Sequence, residues 1–150
     1  MIAFNEVVFH ISDQGQDYRK LGRWSFLTLT GKNELKTTIF TCYCPTRNSL
    51  PGSVFSQHLT YMAEHNNDMK TLCPRQLFGI DLKRKIEDRM ALGHQIIVMG
   101  DFNSEYTKLN SWMMHLGLRD IIAKRHGPGP GSHERSQSLP IDCILNSITT

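Results

Sequence analysis

Eight consecutive residues constrain this chain more than any others: Ile96-Ile97-Val98-Met99-Gly100-Asp101-Phe102-Asn103. A short, continuously apolar run reads as a strand buried on both faces. Such a strand needs a sheet around it and covering elements above. The glycine that follows lets the chain leave the sheet sharply and lets another group come close. If the chain stays extended, the period of two sets Asp101 and Asn103 on one side and Phe102 on the other, where it anchors the turn in the core. The carboxylate and the amide then stand together at the rim. A carboxylate can ligate a hard divalent cation or take a proton from water. An amide donates to a phosphate oxygen without carrying charge. The pairing suits metal-assisted phosphodiester hydrolysis. The plain alternative is an Asx turn that merely ends a strand.

The surrounding elements follow from local pattern. Val7, Val8 and Phe9 are compatible with a strand, and a polar stretch runs from Ser12 to Lys20. Trp24-Ser25-Phe26-Leu27-Thr28-Leu29-Thr30 is rich in aromatic and β-branched residues and reads as a strand. After turn residues at Gly31-Lys32-Asn33, the run from Thr37 to Tyr43 reads as its antiparallel partner, stopped by Pro45. Val54, Phe55, Leu59 and Met62 have helical spacing. So do Phe78, Leu82, Ile86 and Met90, in a helix opened by Pro74 and ended by Gly93. On that helix Asp81 is assigned to the polar surface with Lys83, Arg84, Lys85, Glu87 and Asp88. Leu109, Trp112, Met113 and Leu116 mark a third helix; residues 127–131, alternating Gly and Pro, are a loop; residues 139–145 are a last strand carrying Asp142. Hairpin strands mixed with strands reached through helices indicate an α+β sandwich in one domain, residues 1–150.

Composition narrows the function classes. With 11 glycines added, the 39% apolar share is enough for a real core. A net charge of +3 permits a polyanionic partner without demanding one. The N-terminus lacks a basic region and a long apolar run, so a signal peptide and a membrane span are not expected, and an intracellular setting with reduced thiols is. No protein partner is indicated.

Gly100-Asp101-Phe102-Asn103 after an apolar strand resembles the hallmark of the endonuclease/exonuclease/phosphatase superfamily. That group includes apurinic endonucleases, retrotransposon endonuclease domains, deoxyribonuclease I and inositol phosphatases. Three further features fall in the family's order. Tyr43-Cys44-Pro45 resembles its Tyr-x-Pro, a helix with Gln76 near its start precedes the motif strand, and the stretch from Ile141 to Ser147 resembles its Arg-Ile-Asp-Tyr-Ile strand. Gly22-Arg23-Trp24 before two strands resembles domains of this type near retrotransposon-like reading frames. The resemblance spans residues 22–147. It implies a four-layered α/β sandwich of the deoxyribonuclease I type and Mg²⁺- or Mn²⁺-dependent hydrolysis of a phosphodiester in nucleic acid, with DNA favoured. By the same resemblance, Asp101 activates water or binds the metal, Asn103 and Tyr43 hold the phosphate, and Asp142 orients a catalytic histidine.

Several of the family's parts are not found. Its first catalytic Asn and its metal-binding Glu lie on strands ahead of the matching region, and Asn5-Glu6 is a weak substitute. Its Ser-Asp-His follows the Ile-Asp strand, whereas this sequence stops at Thr150. Pro140 and Cys143 stand where the family has Arg and Tyr. The domain therefore reads as truncated at both ends, and the alternative function is a catalytically incomplete remnant or binding fragment. A zinc site on Cys42 and Cys44 lacks a second pair. His126 and His133 read as solvated loop residues.

Overall fold

The computed structural model describes residues 5–65, 72–104, 106–127 and 142–147. Six strands form one mixed sheet among them: β1 (Ile11–Gln16), β2 (Trp24–Thr30), β3 (Lys36–Tyr43), β4 (Gln95–Asp101), β5 (Arg119–Asp120) and β6 (Asp142–Asn146). Their order across the sheet is β1-β2-β3-β4-β6-β5. The hairpin β2–β3 is antiparallel and in register from Trp24↔Cys42 to Thr30↔Lys36. β4 then lies parallel to β3, at the sheet's centre. Returning the chain to that position takes two helices, α1 (Val54–His65) and α2 (Pro74–Ala91). Beyond β4 come α3 (Tyr106–Met114) and a short α4 (Ile121–His126).

Alternation along the strands separates two faces. Trp24, Phe26, Phe40, Cys42, Ile96, Val98, Cys143 and Leu145 form one core with Phe78, Leu82 and Ile86 of α2 and Leu109 and Met113 of α3. Trp112 packs partly buried at its margin. Leu27, Leu29, Ile39, Ile97, Met99 and Ile144 occupy the alternate positions and are only half-buried. Of the four layers the resemblance implies, the described residues supply two, a sheet and the helices on one of its faces. The class is α+β, as expected. No helix among the described residues is long and apolar enough to cross a membrane.

Several local expectations need correction. Asn5–His10 is a 3-10 helix, and the strand lies beyond it at Ile11–Gln16, inside the stretch read as merely polar. That strand is at the sheet's edge, where both faces are largely exposed, so no apolar period marks it. β5 and α4 are too short for periodicity to reveal; α4 starts because Asp120 accepts hydrogen bonds from the Ile122 and Ala123 amides, each at 2.9 Å. This puts His126 at the end of a helix, while His133 and most of the Gly-Pro loop fall outside the described residues.

Asp81 is the largest correction, because it is buried. Its carboxylate receives Arg23 Nη2 at 2.7 Å, Arg19 Nε at 2.8 Å and the Tyr18 hydroxyl. Arg23, its side chain fully buried, also donates twice to Asp17, at 2.6 and 2.7 Å. Burial opposes the charge on Asp81, but the hydrogen bonds from Arg19, Tyr18 and Arg23 outweigh it and hold the carboxyl below its ordinary range. The cluster ties the β1–β2 connection to α2. A helical wheel cannot show this, since the partners come from some sixty residues away, as with the separation of 58 between Arg23 and Asp81.

Candidate active site

The parallel pairing of β3 with β4 brings their C-terminal ends to the same edge, with Tyr43 beside Asp101. On the other side of β4, the antiparallel β6 sets Asp142 beside Asp101. Tyr43, Asp101 and Asp142 thus stand in one row across three adjacent strands. Asp142 enters that row through its backbone. Cys44 continues the ladder for one more residue, its amide donating to the Asp101 carbonyl at 2.9 Å.

Gly100 makes the close approach feasible. Its φ is +146°, and a Cβ there would stand 2.0 Å from the Cys42 carbonyl oxygen. No side chain fits between the two strands at that point. Phe102 then turns inward, 1% exposed, and meets Phe78 edge-to-face at 6.2 Å.

The chain does not stay extended past Phe102, because Asn103 adopts φ +45°. The carboxylate and amide meet through a turn instead of through strand alternation. Asp101 Oδ1 accepts from the Asn103 backbone amide at 2.9 Å, which is the Asx turn. The Asn103 side-chain amide donates to Asp101 Oδ2 at 3.1 Å and to the Cys44 carbonyl at 2.9 Å. Both of its donors are thereby engaged. In this arrangement Asn103 fixes the carboxylate and staples it to the end of β3; to reach a phosphate oxygen it must exchange one of these bonds. Tyr43 is 39% exposed, so the row opens to solvent at that end.

Arg75, in the first turn of α2, was not singled out from the sequence. It donates to the Pro45 carbonyl at 2.9 Å and to the Phe102 carbonyl at 3.2 Å, clamping the loops that follow β3 and β4. An arginine after a helix-opening proline carries no pattern that announces such a role. Gln76, which the sequence did mark, accepts from the Cys73 amide at 2.8 Å and closes the helix start.

A cation at Asp101 would find one half-buried carboxylate with each oxygen already accepting one hydrogen bond. A carboxylate has lone pairs to spare beyond those two, and Mg²⁺ typically keeps several waters and takes one or two carboxylates plus substrate phosphate. The donor set fits a hydrated ion held with the substrate and not a closed protein cage. Among the described residues, no group of three or more His, Cys, Asp or Glu could hold a metal. Cys44 does not change this. Burial pushes its thiol up to about 11, so it stays protonated at neutral pH.

No family model matches the chain, and no curated protein does. Solved structures do. A 3′ phosphatase from Neisseria, NExo, bound to a product DNA hairpin, is 17% identical at a TM-score of 0.57, over 91% of this chain and 58% of that one. An endonuclease/exonuclease/phosphatase family protein from Bacteroides thetaiotaomicron is 14% identical at 0.54, over 91% and 50%. The human Nocturnin catalytic domain with a bound sulfate anion is 18% identical at 0.52, over 84% and 42%. The chain spans about half the length of the structures it matches. What is shared is the fold.

Proposed function

Taking the endonuclease/exonuclease/phosphatase fold as the premise, we propose that the row Tyr43–Asp101–Asp142, with Asn103 behind it, is the phosphate-handling part of a metal-dependent phosphodiester hydrolase site acting on nucleic acid, with DNA favoured. The observation that carries this reading is the convergence of these four residues, chosen from sequence, on one end of β3, β4 and β6. The Neisseria and human structures support it in the same sense, one holding DNA and the other a sulfate.

Asp101 is the cation ligand, and Tyr43 is the neutral phosphate contact open to solvent. Asn103 keeps the carboxylate aimed. Asp142, paired with Asp101 through the sheet backbone, takes the position whose aspartate orients the catalytic histidine in the family the chain resembles. A bound Mg²⁺ or Mn²⁺ would offset charge on the phosphate oxygens and help the leaving oxygen depart. Metal and acid–base contributions are each worth roughly 10²–10⁴-fold in rate. With one described carboxylate for the metal and no histidine described in the row, the 150-residue chain binds a phosphodiester and hydrolyses it very slowly.

The test is a plasmid-nicking and abasic-oligonucleotide assay with Mg²⁺ or Mn²⁺, with Asp101→Ala as control. The expected result is weak or undetectable cleavage beside measurable oligonucleotide binding. Robust turnover abolished by Asp101→Ala would show that other residues, such as Glu6, His126 or His133, complete the site. No binding at all would end the phosphodiester reading.

A further inference from the structure

A cavity of about 440 Å³ opens beside Tyr43, at the end of the β2–β3 hairpin. Tyr43 lines it together with Ser25 and Thr41 of the hairpin and with Asp17, Lys20 and Arg23 of the connection from β1 to β2. The volume is in the range of about 300–1,000 Å³ typical of ligand sites. Because Tyr43 is itself one of the walls, a group that enters lies against the residue read above as the phosphate contact.

The lining is rich in donors, and its one carboxylate is already engaged. Asp17 Oδ1 accepts from Arg23 Nη2 at 2.7 Å and from the Arg19 backbone amide at 3.1 Å, while Oδ2 accepts from Arg23 Nε at 2.6 Å. Arg19 and Arg23 balance Asp17 and Asp81 charge for charge. Lys20 stands outside that balance. It is exposed, and no carboxylate among the described residues lies within ion-pair distance of it. Arg23 Nη1 is a buried donor with no acceptor among the described residues. The surplus is of donors and of one positive charge, so the complementary group is an oxyanion.

Lys20 is also held where it stands. Its amide donates to the Asp17 carbonyl at 2.9 Å, closing a tight turn, and its φ is +60°. A side chain is disfavoured in that left-handed conformation and persists there where the surroundings fix it. On one side the Asp81 cluster binds the connection to α2, and on another the His58 Nε2 of α1 lies 3.1 Å from the Leu21 carbonyl. The Tyr43 amide donates to the Arg23 carbonyl at 2.8 Å, which joins the same connection to the end of β3. Lys20 and Tyr43 are thus mounted on one braced frame. A nucleic-acid strand carries a phosphate at every nucleotide, so a strand whose phosphodiester meets Tyr43 has a neighbouring phosphate to place, and a lysine ammonium suits it as a point charge. We propose that Lys20 receives that neighbouring phosphate in this cavity and positions the strand. The inference rests on the phosphodiester reading and adds to it the side from which the strand reaches Tyr43.

The test is equilibrium binding of a short fluorescein-labelled DNA duplex to the full chain carrying Asp101→Asn, which separates binding from turnover. Lys20→Gln should weaken binding about five- to tenfold and lower the salt slope by about 0.9, the value for one phosphate contact on a duplex. Lys20→Arg should restore both. Lys32→Gln removes the same charge from an exposed position in the β2–β3 turn, at the far end of the hairpin, and should leave both at the parent values. Lys20→Gly should lose the same binding with a urea midpoint at or above the parent's, because glycine adopts the left-handed conformation freely. If Lys20→Gln binds as the parent does, or Lys32→Gln loses as much, the assignment to Lys20 fails, and the phosphodiester reading stands if Tyr43→Phe still weakens binding. If neither Tyr43→Phe nor Lys20→Gln changes binding, both fail. A lowered urea midpoint in Lys20→Gln and Lys20→Gly alike would trace the loss to the fold and overturn the proposal.

Discussion

Gly100→Ala is the substitution most sharply determined by this geometry. The new methyl would lie 2.0 Å from the Cys42 carbonyl oxygen and 2.8 Å from the Cys42 carbonyl carbon and amide nitrogen. All three are backbone atoms of the neighbouring strand, so no rotamer change relieves the contact. Relief requires β3 and β4 to separate by about 1 Å where strands normally sit about 4.8 Å apart, which breaks the pairing that aligns Tyr43 with Asp101. Overpacking of this kind costs about 1–3 kcal/mol. Holding a non-glycine residue at φ +146° adds about 1–3 kcal/mol. The expected destabilisation is therefore about 2–6 kcal/mol, against a total stability of roughly 5–15 kcal/mol for a domain. With a urea slope of about 1.5 kcal/mol/M, the midpoint should fall by about 1–4 M. Gly79→Ala is the matched control. It sits inside α2, its Cβ would meet Trp112 at an ordinary 4.0 Å, and it should raise stability by up to about 1 kcal/mol. A Gly100→Ala midpoint within about 0.3 M of the parent would refute the account of how the two strands meet.

Two further predictions concern buried charge and pH. Asp81→Ala leaves the fully buried Arg23 with Asp17 as its remaining carboxylate and should cost about 3 kcal/mol by chemical denaturation; an effect below about 1 kcal/mol would mean the cluster is structurally idle. Burial holds the His58 and His94 imidazoles below their ordinary pKa in the folded chain. The unfolded chain then takes up protons first as pH falls through about 6.5, so stability is complete above that pH and declines below it. His58→Gln should flatten the decline in urea midpoint between pH 7.5 and 5.5, and an unchanged profile would exclude His58 as a source.

The central strand was legible in sequence because it is apolar on both faces, and α2 because Phe78, Leu82 and Ile86 repeat every four residues. Tyr43, Asp101 and Asn103 were legible because a motif placed them at strand ends. What the sequence concealed depends on partners distant along the chain. Asp81 looks like any helix-surface carboxylate until Arg23 and Arg19 are folded against it. Asn103 looks like the next residue of an extended segment until its own amide binds Asp101. Arg75 has no local pattern at all, since its acceptors are carbonyls of two loops.

The pairing of β3 with β4 also has a kinetic side. β1, β2 and β3 follow one another along the chain and close by short turns, whereas β3 and β4 meet only after all of α1 and α2 has been traversed. Long-range parallel pairing must complete a loop closure before it gains any contact, so it is slow to form. The hairpin side of the sheet would then assemble first, with β4 docking afterwards. Opening between sheet segments tends to follow such units. Because Tyr43 stands on one side of that seam and Asp101 on the other, the candidate site spans a joint that closes after the hairpin has formed. Amide hydrogens of β4 facing β3 would then exchange before those within β2–β3.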